Sequence, residues 1–213
     1  MALLLNVPYA EKEEAKKLGA RWNAELKKWY VQNREDYPKF KKWILKDKSE
    51  VVILCDYVYI IEGIHNCFKC GNETRVIGFG LENYYEFGDY EDIKDGFEYY
   101  SEEIHIASHI NPMPNNILKY VQENYNYKLR YSKTVGSSYY ANCCQSCDVL
   151  QGDFFLFEEV DSPFWIEDEE AAKKLKLYKI SLEYDILVDN VEVGFGSNDY
   201  LIKEYGKSID IEL

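Results

Sequence analysis

Short apolar runs alternate with dense polar stretches along the chain, and the repeat changes from segment to segment. Leu3-Leu-Leu-Asn-Val7 is a compact apolar run that predicts a short strand, closed by Pro8. From Glu11 to Leu18 only Ala15 and Leu18 are apolar, with Tyr9 and Ala10 just ahead. A charged helix with one narrow apolar stripe is expected there. Glu11, Glu13 and Glu14 lie toward its start and Lys16 and Lys17 toward its end, the order a helix dipole favours. Gly19 stands where a left-handed cap belongs. Trp22 and Trp29-Tyr-Val31 read as two strands about a turn, and Phe40, Trp43 and Ile44 fit one face of a short helix. In so small a core, two or three of the tryptophans are expected to carry much of the packing.

Beyond residue 50 the pattern turns strand-like. Val51 to Ile61 is an apolar run of one or two strands, and Arg75 to Phe79 reads as a return strand. Residues 82–103 crowd acids together with Tyr84, Tyr85, Phe87, Tyr90, Phe97, Tyr99 and Tyr100, and read as loop and irregular strand. Ile104 to Ile110 alternates as a strand does. Asn116–Asn124 predicts a helix through Ile117, Leu118 and Val121, Phe154–Phe157 a strand, and Glu167–Leu175 a helix. One or two strands are expected between Tyr178 and Phe195, and a short helix after Ser197. The fold class is therefore α+β. A small strand-helix-hairpin module (1–46) precedes an α+β body (50–213).

Charge sharpens that division. Residues 1–46 hold 11 Lys and Arg against 6 Asp and Glu, a net +5, whereas the other 167 residues hold 14 against 32, a net -18. A basic head can meet a polyanion, while the acidic body would repel phosphates and suits a basic protein partner. With 46% apolar and 16% aromatic residues the chain has material for a core, which excludes wholesale disorder. No apolar run approaches the roughly 20 residues of a membrane span. The opening Met1-Ala-Leu-Leu-Leu5 is too short for a signal peptide, so a cytoplasmic location is expected.

The sharpest chemical signal is a pair of knuckles, Cys67-Phe-Lys-Cys70-Gly71 and Cys144-Gln-Ser-Cys147, with 73 residues between Cys70 and Cys144. Two residues between thiolates let both meet one ion from a tight turn, and two such turns make the tetrahedral four-sulfur set of structural zinc. Zn2+ held by Cys67, Cys70, Cys144 and Cys147 is the expected cofactor. Four thiolates leave no open position for water, so the ion would be structural. The body is then built around a zinc-ribbon-like core with a long insertion. Cys143 is core or a competitor for the fourth position, and Cys55 a buried, inert thiol. Enzyme motifs are thin. His105 and His109, four apart, could face one side if that segment is helical, but Ile104–Ile110 alternates enough to be a strand, which leaves the geometry open. Gly78-Phe-Gly80 and Gly194-Phe-Gly196 are lone pairs that make no phosphate loop.

Val7-Pro8-Tyr9, Leu18-Gly19-Ala20-Arg21-Trp22 and Lys28-Trp29-Tyr30-Val31 resemble the signature of a short, uncharacterised domain of phage and plasmid proteins. Relatives of that domain are often attached to primase-like or other DNA-processing modules. The resemblance implies association with nucleic-acid processing. Asn142-Cys-Cys-Gln-Ser-Cys-Asp148 and the residues to Phe155 are more loosely similar to the second knuckle and following strand of bacterial zinc-ribbon-like proteins. Arg21, Lys27 and Lys28 beside Trp22 and Trp29 suit single strands, whose bases stack on rings while phosphates meet cations. The alternative makes both tryptophans core and the lysines plain surface. Three functional readings follow. The first is an accessory nucleic-acid-associated or protein-binding protein with a structural zinc. The others are a pure protein-interaction or host-interference factor, and a metal-dependent nuclease-like enzyme using His105 and His109.

Overall fold

The computed structural model describes residues 1–46, 48, 50–88, 96–188 and 190–213. Tyr90, among the aromatic residues noted above, lies outside them. The architecture is mixed α+β, with an N-terminal strand-helix module and a β-rich body.

The module is a three-stranded antiparallel sheet in the order β1-β3-β2, from β1 (Leu3–Leu5), β2 (Arg21–Asn23) and β3 (Lys28–Val31). Helix α1 (Lys12–Lys17) connects β1 to β2. It ends at Gly19, whose φ of +106° is the left-handed geometry that favours glycine. A 3-10 turn over residues 34–40 leads into α2 (Lys41–Leu45). The expected tryptophan core is corrected here. Trp43 is buried, but Trp22 is 51% exposed and Trp29 half-buried. Leu3, Leu5, Val31, Tyr37, Phe40 and Ile44 fill the interior instead.

Two sheets form the body. The smaller has the order β13-β4-β7-β8, from β4 (Glu50–Leu54), β7 (Tyr84–Gly88), β8 (Phe97–Tyr100) and β13 (Ile186–Val188). The larger runs β14-β9-β6-β5-β12-β15, from β5 (Tyr57–Asn66), β6 (Glu73–Leu81), β9 (His105–Asn111), β12 (Lys176–Ser181), β14 (Asn190–Gly194) and β15 (Lys207–Ile211). Its neighbours are antiparallel except β12 and β15. A separate two-stranded ribbon pairs β10 (Tyr127–Ser132) with β11 (Ser137–Asn142). Helices α3 (Asn115–Asn124), α4 (Glu169–Lys173) and α5 (Tyr200–Tyr205) complete the chain.

Strand alternation explains why the run from Val51 to Ile61 is apolar on both sides. On β4, Val51 and Ile53 join the module's core, while Val52 and Leu54 join the core beneath the large sheet. On β5, Val58 and Ile60 face that same core, and Tyr59 and Ile61 face a third one closed by Leu156, Phe164 and Ile202. The module therefore shares its interior with β4 and β7 through Val51, Ile53, Cys55 and Phe87. Cys55 is buried, as expected.

Two expectations are corrected. Residues 84–88 and 97–100 form regular paired strands rather than loop and irregular strand, with Tyr84 stacked on Tyr100 at 4.9 Å and Tyr85 on Phe97 at 4.4 Å between ring centroids. Ring pairs across the ladder, with Tyr84 and Phe87 fully buried, supply the burial that the acids obscured. Phe154–Glu158 is a π-helical turn rather than a strand. A run of four apolar residues is ambiguous in period. The turn buries Leu156, packs Phe157 close above Gly78, and leaves Phe154 and Phe155 outside, where Phe155 stacks on Phe68.

Candidate functional site

The two knuckles are built alike. Cys67–Gly71 is the turn of the β5–β6 hairpin: Gly71 N–H donates to the Cys67 carbonyl at 2.8 Å, and Cys67 N–H to that of Asn72 at 3.0 Å. The second knuckle leaves β11 and repeats these bonds. Asp148 N–H donates to the Cys144 carbonyl at 3.0 Å, and Cys144 N–H to that of Val149 at 2.9 Å. The residue after each second cysteine has positive φ, +73° at Gly71 and +61° at Asp148. Asp148 occupies a glycine-favoring position, where aspartate is among the residues best tolerated. Lys128 and Arg130 hold its carboxylate at 2.5 and 2.6 Å, and Lys128 first among them lowers its pKa to about 2.

Side chains lock the knuckles together. Asn142, buried at the end of β11, donates to the Ile77 carbonyl at 2.9 Å and accepts from the Ile77 N–H at 2.8 Å. Gln145 N–H donates to Thr74 Oγ1 at 3.0 Å. The result brings Cys67, Cys70, Cys144 and Cys147 together with all four sulfurs within 4.8 Å of one another. The Cys67–Cys147 and Cys70–Cys144 sulfurs are each 3.7 Å apart. A tetrahedron with Zn–S bonds of about 2.3 Å has edges of about 3.8 Å, and a disulfide would need about 2.05 Å. The cluster is thus geometrically compatible with metal coordination. Its chemistry agrees. At Cys67, burial opposes ionisation, but the N–H groups of Cys70 and Lys69 outweigh it and bring the thiol down to about 6. At Cys147 the Val149 N–H favours the thiolate, yet burial and the three neighbouring sulfurs push the thiol up to about 12. Cys67 and Cys144 are shifted toward the thiolate and Cys147 away from it, and the repulsion among gathered thiolates is what a cation relieves. Ser146 N–H and Gln151 Nε2 donate to Cys144 and Cys67 sulfurs at 3.3 and 3.6 Å. Cys143 points away, its thiol toward the Ala141 carbonyl.

The histidines do not converge. Both lie in β9, where four residues span about 13 Å. His105 Nδ1 is 2.8 Å from Asp199 Oδ2 in a buried pair, and His109 Nδ1 is 3.0 Å from Ser108 Oγ. Among the described residues, the four cysteines are the one group of three or more Cys, His, Asp or Glu with metal-holding geometry.

On the module, Trp22 and Trp29 are cross-strand partners on one face, with ring centroids 5.6 Å apart and edge-to-face. With Lys27 and Lys28 they line a groove of about 500 Å³. Arg21 pairs with Tyr30 one residue along, which places it on the opposite face; Lys28 shares that parity through Asn23 but lines the groove, whereas Arg21 does not. The groove adds two residues that sequence reading passed over, Tyr9 and Lys12. Tyr9 is 82% exposed, and Lys12 Nζ lies 3.8 Å from its ring centroid. Their only sequence signal is an aromatic residue that has no apolar partner on the α1 stripe. Asn142, Gln145 and Gln151 around the sulfurs carried no local signal, because their partners lie on distant strands.

No helix among the described residues is long and apolar enough to cross a membrane. A family model described as a domain of unknown function (DUF5710) matches residues 3–44. Two curated proteins from Escherichia coli, both named DNA primase TraC, share local similarity. One is 54% identical over 39 residues, 18% of this chain and 3% of that protein. The other is 51% identical over 48 residues, 22% of this chain and 4% of that protein. The chain therefore matches a small fraction of these relatives' length. No solved structure matches it. The protein thus combines a short domain related to DUF5710 and to a segment of the TraC primases with a four-cysteine cluster compatible with metal coordination.

Proposed function

We propose that this protein is an accessory, nucleic-acid-associated binding protein of a bacterial or mobile-element DNA-processing system, fastened by one structural zinc ion. Residues 1–46 are the nucleic-acid module, through Trp22, Trp29, Lys27 and Lys28, and residues 50–213 the acidic, zinc-stabilised domain with a zinc-ribbon-like core. The observation that carries the reading is the groove itself. Exposed rings flanked by lysines, in a module similar to part of a DNA primase, provide stacking faces and phosphate contacts together. Cys67, Cys70, Cys144 and Cys147 hold the zinc. The ion supplies a cross-link and charge neutralisation between two turns 73 residues apart in sequence. The cytoplasm is the compartment that keeps such thiols reduced.

The test pairs elemental analysis with fluorescence anisotropy on the full-length protein. One zinc per chain, lost in Cys67→Ser and Cys144→Ser, and salt-sensitive binding to labelled DNA or RNA are expected. Metal-free protein with unchanged stability, or no binding to any nucleic acid at low salt, overturns the corresponding half. A second reading, docking of a basic protein on the body, rests on one feature. A groove of about 570 Å³ is lined by Asp153, Glu158, Glu167 and Asp199 with Trp165 and Phe195. Absence of all nucleic-acid binding would favour it.

A further inference from the structure

The aromatic groove continues past Trp29. A second cavity of about 590 Å³ adjoins it, and the two share Leu5, Asn6 and Lys28. A hydrogen bond from Lys28 Nζ to Asn6 Oδ1 forms the saddle between them. Beyond the saddle the walls come from both halves of the molecule. Lys46 and Lys48, which follow α2, contribute from one side, and Pro114, Asn116 and Tyr184 from the body. The first turn of α3, with its positive dipole end, therefore borders the second cavity.

Among the described residues, positive charge predominates along the combined path. Lys12, Lys27, Lys28, Lys46 and Lys48 line it, against Glu183 and Asp185. Asp185 is already paired with Arg34 at 2.7 Å. In a chain of net charge -13 this is a local inversion, and it crosses from the module onto the body.

We propose that the two cavities form one continuous track for a single-stranded nucleic acid several nucleotides long. Bases stack against Tyr9, Trp22 and Trp29, and the backbone passes over Lys28 to Lys46 and Lys48. The inference rests on the nucleic-acid reading above and adds strandedness, length and path. Aromatic rings stack on the faces of unstacked bases, which the interior of a duplex does not offer. One cavity alone would suit a mononucleotide. Two joined end to end, with lysines beyond the saddle, suit a strand. A polyanion is favoured over an acidic protein segment because the exposed rings match base faces at the same groove that carries the lysines.

The experiment measures anisotropy of the zinc-supplemented full-length protein with labelled oligothymidylates and a duplex. The oligomers are about 3 and about 12 nucleotides long, bracketing the lower range of single-strand site sizes, and the duplex matches the longer one. The long strand is expected to bind more tightly than the short strand and the duplex. Removing two phosphate contacts with Lys46→Gln/Lys48→Gln lowers the salt slope on the long strand by about 1.4 and weakens binding roughly 25-fold at 0.1 M salt. It leaves the short strand unchanged. Tyr9→Ala/Trp22→Ala weakens both strands, by roughly 5- to 150-fold per lost stacked base. Arg21→Gln, on the opposite face, leaves both near wild type. All of these sites are exposed, and near-UV circular dichroism checks that the fold persists. Duplex binding as tight as single-strand binding, or long-strand affinity untouched by the double lysine variant, overturns the track and leaves the nucleic-acid reading standing. No binding by any probe overturns both.

Discussion

Replacing Arg34 tests how the basic module is fastened to the acidic body. Arg34 lies in the 3-10 turn of the module, yet its guanidinium is clamped by two body carboxylates. Nε and Nη2 donate to Asp185 at 2.7 and 2.8 Å, and Nη1 and Nη2 donate to Asp56 at 3.0 and 2.7 Å. Tyr37 OH adds a 2.7 Å bond to Asp185. Beside it, Asp185 N–H donates to the Ala2 carbonyl at 2.9 Å. The two carboxylates differ in worth. The Asp185 side chain is 0% exposed, whereas that of Asp56 is 37% exposed. Solvent screening reduces the Asp56 pair to about 0–1 kcal/mol. In Arg34→Met the Asp185 carboxylate stays buried with the Tyr37 hydroxyl and the Cys55 thiol as its side-chain donors, and stranding a buried charge costs about 3–5 kcal/mol. At roughly 2–4 °C per kcal/mol for a chain of this size, Tm falls by about 6–20 °C. Urea unfolding with parallel calorimetry measures the loss. Arg34→Met/Asp185→Leu removes the stranded charge and recovers most of it. A single-variant loss below about 1 kcal/mol, or a double variant no more stable than the single, would refute the assignment of the clasp.

Two further outcomes follow from the body. Gly80→Ala places a Cβ 2.8 Å from Ile61 Cδ1 and 2.9 Å from Ile104 Cγ2, so it should destabilise by about 1–3 kcal/mol through overpacking, read as a lower urea midpoint. Glu82 is buried, and burial raises its pKa, but Lys203 at 2.6 Å and Tyr59 at 2.8 Å outweigh that and leave it lowered. Its contribution is present above the unfolded carboxyl value of about 4.3 and is lost as pH falls through the lower folded value. Glu82→Gln should therefore flatten the acid limb of stability below about pH 4–5, and an unchanged limb would remove Glu82 from the account.

Much of the local structure was legible. The helix from Asn115 to Asn124, the strand from His105 and the cap at Gly19 followed from apolar period and residue chemistry. The pair Gly78 and Gly80, set aside as no phosphate loop, proves to be a close-packing device in β6, where Ile61, Ile104, Ile106 and Phe157 fill the space side chains would take. Residues 84–88 and 97–100 were harder, because acids interrupt the alternation. Their strand character shows only when rings meet across the ladder. The apolar run at Phe154 was too short for its period to choose between strand and helix.

By itself the sequence determined what spacing encodes. Two knuckles of matched geometry, the split of charge at residue 46 and an α+β content are all properties of near neighbours along the chain. Tertiary structure alone decided what each face meets. It merged the module's core with β4, turned Trp22 outward and Trp43 inward, and set Arg21 behind the groove that Tyr9 and Lys12 complete. It also joined that groove to a cavity walled by residues more than 100 positions away. Period shows which side of a segment is apolar, but the partner covering that side is chosen by packing among distant segments, which no local pattern records.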